Sequence, residues 1–182
     1  MLETRTVVAF HGANKLAEGD LQSVALETKR QLGEDAGHAL FFQNATGEQF
    51  DVDLSGELDD VRQRFETLAR GRGRPRLGVV AREVTLLPRH WDWLATQPGG
   101  ASVALRRLVE DARKTYAERD RVRLAREAAY RFMSALAGNL PGFEEASRAL
   151  FAGDRSKFEA ESATWPADLR THALALAADT WV

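Results

Sequence analysis

The residues best equipped for chemistry in this sequence are arginines. Arg70-Gly71-Arg72-Gly73-Arg74-Pro75-Arg76 contains only Arg, Gly and Pro. Such a segment has no apolar side chain to bury, so a flexible basic arm is expected. The chain's net charge of −2 conceals a block structure. Residues 62–126 hold 16 Arg or Lys against 7 Asp or Glu, a local charge of +9, which leaves −11 for the remainder. A basic middle between acidic ends is the pattern of a local polyanion site. The same charges could also interdigitate over a folded surface, and the same arm composition also serves as a basic linker between domains.

Other chemistries are weaker. Asp51 and Asp53 share one face of an expected strand, with Glu48 nearby, and paired carboxylates can bind Mg²⁺ or Ca²⁺ through oxygen. A solvated strand face has the same pattern and no further ligand is indicated, so no metal site is assigned. His11, His38, His90 and His172 are scattered without ligand spacing and read as ordinary surface or core histidines. Gly12 and Gly19 lack the following Lys of a phosphate loop. The absence of cysteine excludes disulfides, thiolate metal sites and a thiol nucleophile, and fits a reducing cytoplasm. No nucleophile–base pair stands out, so neither an enzyme nor a cofactor is expected. The first residues lack the apolar stretch of a signal peptide, and no apolar run approaches the roughly 20 residues of a membrane helix. A cytoplasmic protein without a membrane partner is expected.

The elements that must position the arginines read as α+β. A hydrophobic fraction of 44% is enough for a core. Thr6-Val7-Val8-Ala9-Phe10 is a strand, and residues 14–19 are turn-rich. Asp20 caps a helix running to about Leu32, with Leu21, Val24, Ala25, Thr28 and Leu32 near one face. Residues 33–37 break it. Ala39-Leu40-Phe41-Phe42 is apolar throughout and should be a central strand. Asn44-Ala45-Thr46-Gly47 is a hairpin turn, with Gly47 supplying the positive φ. Residues 49–54 alternate, with Phe50, Val52 and Leu54 inward. Ser55 caps a helix striped by Leu58, Val61, Phe65 and Leu68. Residues 1–69 therefore form a small β-α-β-β-α unit, followed by a linker at 70–76.

Residues 77–116 read as strand, helix, turn, helix. Leu77-Gly78-Val79-Val80 is a short apolar run, and Arg82-Glu83-Val84-Thr85-Leu86-Leu87 leads to Pro88, which opens a helix at its first turn. Trp91 and Leu94 form its apolar side. Pro98-Gly99-Gly100 ends it, and Ser102 caps a second helix. That helix turns Leu105, Leu108, Val109 and Ala112 inward and Arg106, Arg107, Arg113 and Lys114 outward. Residues 117–182 are helical. A long helix is expected from about Arg106 through Met133 with an interruption near residues 115–120, and Arg119, Arg121, Arg123 and Arg126 stud it with enough acidic neighbours for a salt-laced solvated face. Phe143, Ala146, Leu150 and Phe151 have core spacing on a helix that Gly153 ends. Asp154 caps the next, where Phe158 packs, and Leu169, Leu174 and Leu176 belong to the last helix.

Three resemblances follow. Arg72-Gly73-Arg74-Pro75 resembles the core of an AT-hook, which implies that Arg72, Gly73, Arg74 and Pro75, flanked by Arg70 and Arg76, lie in the narrow minor groove of A·T-rich DNA. The strand, Leu-Pro, helix, Gly turn and Ser-capped helix with its Arg pair resemble a ribbon-helix-helix domain. That implies a homodimer with paired strands in the major groove, Arg82 and Thr85 at base edges, and the Ser102 region with Arg106 and Arg107 at phosphate. The family's parity would turn Glu83, Thr85 and Leu87 inward, whereas the hydrophobic pattern asks for Val84 and Leu86. Finally, residues 83–94, Pro98-Gly99-Gly100-Ala101-Ser102, Asp51-Val52-Asp53-Leu54 and Leu140-Pro141-Gly142-Phe143-Glu144-Glu145-Ala146 are similar to a bacterial family, domain of unknown function 2239. It implies a bacterial source and no particular activity.

The sequence thus leads to a non-enzymatic DNA-binding protein, regulatory in role, that prefers A·T-rich duplex and forms a dimer. The competing class is an interaction or self-assembly module whose basic centre docks an acidic partner.

Overall fold

The computed structural model describes residues 6–70, 78 and 80–181, without the side chains of 68–70. The chain divides into two units, one of Met1–Arg72 with Arg121–Val182 and one of Gly73–Asp120.

The first unit is built on a four-stranded antiparallel sheet of order β2-β1-β3-β4, made of β1 (Val7–His11), β2 (Asn14–Gly19), β3 (Leu40–Gln43) and β4 (Gln49–Phe50). The apolar runs in β1 and β3 have a simple cause, since both faces of the sheet are covered. Successive strand side chains point to opposite faces. Val7, Ala9 and Phe41 enter a core with Val24 and Ala25 of α1 (Leu21–Leu32) and Val61 of α2 (Leu58–Arg70). Val8, Phe10 and Phe42 enter a second core with the C-terminal helices.

That second core comprises the end of α4 (Gly100–Leu136), α5 (Phe143–Ala152), α6 (Arg155–Glu161) and α7 (Ala167–Leu176). Phe132 of α4 is its centre, with ring centroids 5.2 Å from both Phe10 and Phe42 and 4.7 Å from His172. Burying each such aromatic contributes about 2 kcal/mol. Desolvation pushes the His172 imidazole down to about 4. Trp165 donates its indole N–H to the Pro141 carbonyl at 2.8 Å, tying α7 to the turn after α4.

The mixed α+β class is as the sequence reads, with three local corrections. Residues 14–19 form an edge strand rather than a turn, because pairing with β1 across a bulge at Ala9/Phe10 outweighs poor strand propensity. The edge is held by Lys15, whose amide donates to Asp168 Oδ2 at 2.9 Å. The alternating stretch 49–54 pairs only at Gln49 and Phe50, although Leu54 remains buried. Ser55 does not cap α2. It donates backbone and side chain to Asp53 Oδ1 at 3.0 and 2.6 Å, which holds the Asp53 carboxyl below its usual range. The helix start is instead secured by Asp60, whose carboxylate accepts the Glu57 N–H at 2.8 Å.

In the second unit α3 (Pro88–Ala95) begins with Pro88 at its first turn, as expected, and α4 follows after a short turn. No interruption occurs in α4 at 115–120. Among the described residues no helix is long and apolar enough to cross a membrane.

Candidate nucleic-acid interface

The expected arm, Arg72, Gly73, Arg74, Pro75 and Arg76, lies outside the described residues. Arg70 is the last residue of α2, with its side chain likewise outside them. The remaining expected site residues belong to the second unit.

Arg82 and Thr85 are exposed in a segment, 80–87, that is neither helix nor strand. Within the single chain no strand forms here. A strand needs a neighbour for its N–H and C=O groups, and this segment pairs with none of the described strands. The parity question has a direct answer. Leu86 is half-buried against the helices, while Leu87, at the N-cap of α3, is 47% exposed. Neither parity is adopted as a whole, since Thr85 and Leu87 are exposed but so is Val84, and only Leu86 turns inward.

Ser102 also departs from expectation. The helix begins at Gly100, so Ser102 lies inside the first turn and is exposed, rather than capping it. That turn carries no acidic residue. Arg106 and Arg107 follow one turn later, both exposed, and neither forms an ion pair among the described residues. Farther along, cations are engaged. Arg113 pairs with Glu110 at 3.0 Å, Arg121 with Asp179 at 2.7 Å, and Arg123 with Glu127 at 3.0 Å. The Arg119 guanidinium sits 4.4 Å from the Tyr116 ring centre. Among the described residues Arg106 and Arg107 thus lack an ion pair within the first two turns of α4, near the helix end where backbone amides and helix dipole favour an anion.

The sequence reading missed an open apolar groove. Leu86, Arg89, His90, Trp93 and Leu94 form one wall and Leu105 and Leu108 the other, enclosing about 380 Å³. Leu94 is buried, but Trp91, Trp93, Leu108 and Val109 are exposed, and so is Ala112. The expectation that Trp91, Leu108, Val109 and Ala112 face inward is corrected, because no described part of the chain covers these faces. The signal was present in the sequence as apolar residues at helical spacing with no complementary segment assigned to them.

Glu48, Asp51 and Asp53 lie in the first unit. Asp53 is occupied by Ser55 and by Arg64, whose Nε is 3.3 Å from Oδ2. Among the described residues no three His, Cys, Asp or Glu gather as metal ligands.

The fold and this site define an α+β protein with an accessory helix pair that carries free arginines and an uncovered groove. Residues 6–177 match the family described as "Uncharacterized protein conserved in bacteria (DUF2239)", and the chain belongs to that family. No curated protein and no solved structure matches it.

Proposed function

We propose that this protein binds DNA without catalysing a reaction, using the 70–76 arm and the start of α4. The carrying observation is the pair Arg106 and Arg107, exposed and without carboxylate partners among the described residues, next to a helix N-terminus free of acidic side chains. Among the described residues the arginines farther along α4, such as Arg113 and Arg123, find a carboxylate one turn away, whereas these two do not. A phosphate would supply the missing partner with bidentate geometry. The arm's Arg-Gly-Arg-Pro composition supports the same partner and favours A·T-rich minor groove. A homodimer would double the phosphate contacts.

The test is fluorescence anisotropy of labelled A·T-rich and G·C-rich duplexes at two salt concentrations. Tighter binding to A·T that weakens steeply with salt supports the proposal. Absence of binding to either duplex at low salt overturns it.

A second reading is a self-assembly or protein-interaction module. It is favoured by the exposed apolar side chains Val84, Leu87, Val103, Leu108 and Val109 of the second unit. A mass in gel filtration that rises with protein concentration and falls with salt, together with no DNA binding, is its signature.

A further inference from the structure

We infer that the α3–α4 groove seats an unpaired nucleobase, so that the nucleic acid bound has single-stranded or locally opened character. This rests on the nucleic-acid reading above and specifies the form of its partner. Three observations carry it. First, Trp93 is half exposed while lining an open groove together with Leu94, Leu105 and Leu108. An exposed indole beside apolar side chains is a surface on which an aromatic base stacks, and stacking tolerates any base because each has a π-face. Second, Arg89 lies four residues before Trp93 and His90 three before, so both share its side of α3 and line the same groove. A base stacked on Trp93 therefore brings its phosphate within reach of a cation. Third, the groove's volume, about 380 Å³, falls within the range of small-molecule sites, and its lining offers no carboxylate to repel a phosphate. The one acidic residue of α3, Asp92, is not among the lining residues.

Paired bases cannot enter. In a duplex the base faces are stacked on their neighbours, and only edges are presented in the grooves. A side chain such as Trp93 reaches a face only when the base is already unpaired or is turned out of the stack. Charge selects a polyanion here, and the exposed ring selects one whose bases are free. A helix from another protein could fill the groove by shape and could meet Arg89 only if it carried a carboxylate at the rim, whereas every nucleotide brings its own phosphate.

The test uses the full chain, a labelled single-stranded oligonucleotide of mixed sequence and its duplex. Anisotropy is measured for both, and tryptophan fluorescence is followed during the single-strand titration. Expected are quenching by the single strand and about tenfold weaker single-strand binding for Trp93→Leu, with duplex binding unchanged. Arg89→Gln should weaken single-strand binding severalfold without abolishing quenching. Circular dichroism confirms that each variant is folded, and Trp91→Leu at a neighbouring exposed position serves as a second control. Duplex binding without single-strand quenching overturns this inference and leaves the DNA proposal standing. Failure of both nucleic acids overturns both. Single-strand binding indifferent to Trp93 overturns the groove assignment. Concentration-dependent mass lost in Trp93→Leu, with no oligonucleotide effect, overturns it in favour of a second copy as the occupant.

Discussion

Gly47 lies against the backbone of Ala128 so closely that a β-carbon there would sit 2.0 Å from the Ala128 carbonyl oxygen. The hairpin turn between β3 and β4 is thereby pressed onto α4, and Arg131 completes the contact by donating to the Thr46 carbonyl at 2.9 Å. Gly47 also has φ of 63°, and its N–H donates to Gln43 O at 2.7 Å. Gly47→Ala meets both a backbone clash and left-handed strain. The expected loss of stability is about 3 kcal/mol or more, read as a lower urea midpoint. Gly37→Ala, where nothing lies within 4 Å of the added carbon, should cost less than about 1 kcal/mol.

At the start of α2 the cap falls to Asp60 and not to the expected Ser55. Asp60 accepts the Glu57 N–H, whereas Ser55 is turned back onto Asp53. Asp60→Ala should therefore destabilise by about 1 kcal/mol, and Ser55→Ala by less than half of that. Thermal melts of the two variants under identical buffer conditions check the order. Equal losses would show that Ser55 contributes to the cap after all.

His172 gives the protein a specific acid sensitivity. Its ring is buried between Phe10 and Phe132, and its Nε2 has no hydrogen-bond partner among the described residues. Burial opposes its protonation, Glu18 partly counters that, and Lys15 adds to it. In the unfolded chain the imidazole takes up a proton near pH 6.5, but in the folded protein only near 4. Between those values the unfolded state holds more protons, so stability falls as pH drops from 6.5 to 4 and this contribution is flat below that. The full effect is up to about 3 kcal/mol. His172→Leu should remove it. Urea unfolding of both proteins at several pH values measures the difference, and parallel pH profiles would refute the assignment.

The parts of the fold written most plainly in the sequence are those whose stability is local. Asp20 is a cap because its carboxylate reaches the Ser23 N–H three residues on, and Asp154 does the same for Lys157. Pro88 opens α3 and Gly153 closes α5 for equally local reasons. The apolar runs at Val7–Phe10 and Leu40–Phe42 implied a buried sheet, though not which helices would cover it. What was not legible depends on distant partners. The β2 edge exists because β1 and Asp168 hold it, and neither is visible in Asn14-Lys15-Leu16-Ala17-Glu18-Gly19. The site shows the same division. The arginines and their clustering could be read directly, but the exposure of Trp91 and Leu108 could not, since helical spacing predicts an inward face whether or not the chain supplies something to cover it.

The two halves of the proposed DNA contact should be separable by what each reads. Phosphate contacts are blind to sequence, and each one lost lowers the salt dependence by about one counterion. Arg106 and Arg107 stand beside the α4 N-terminus on a regular helix, which suits them to phosphate. The double variant Arg106→Ala, Arg107→Ala should therefore weaken A·T-rich and G·C-rich duplexes alike and reduce the slope of log affinity against log salt by about two. Replacing Arg72, Arg74 and Arg76 by Gln should act differently. A·T-rich minor grooves are narrow and strongly negative, so removing arginines that lie in them abolishes the preference for A·T while leaving a weaker, sequence-independent affinity. Anisotropy titrations of both variants on both duplexes over a salt series distinguish the roles. If the arm variant keeps its A·T preference, the arm does not enter the minor groove. If the α4 variant leaves the salt slope unchanged, Arg106 and Arg107 do not meet phosphate.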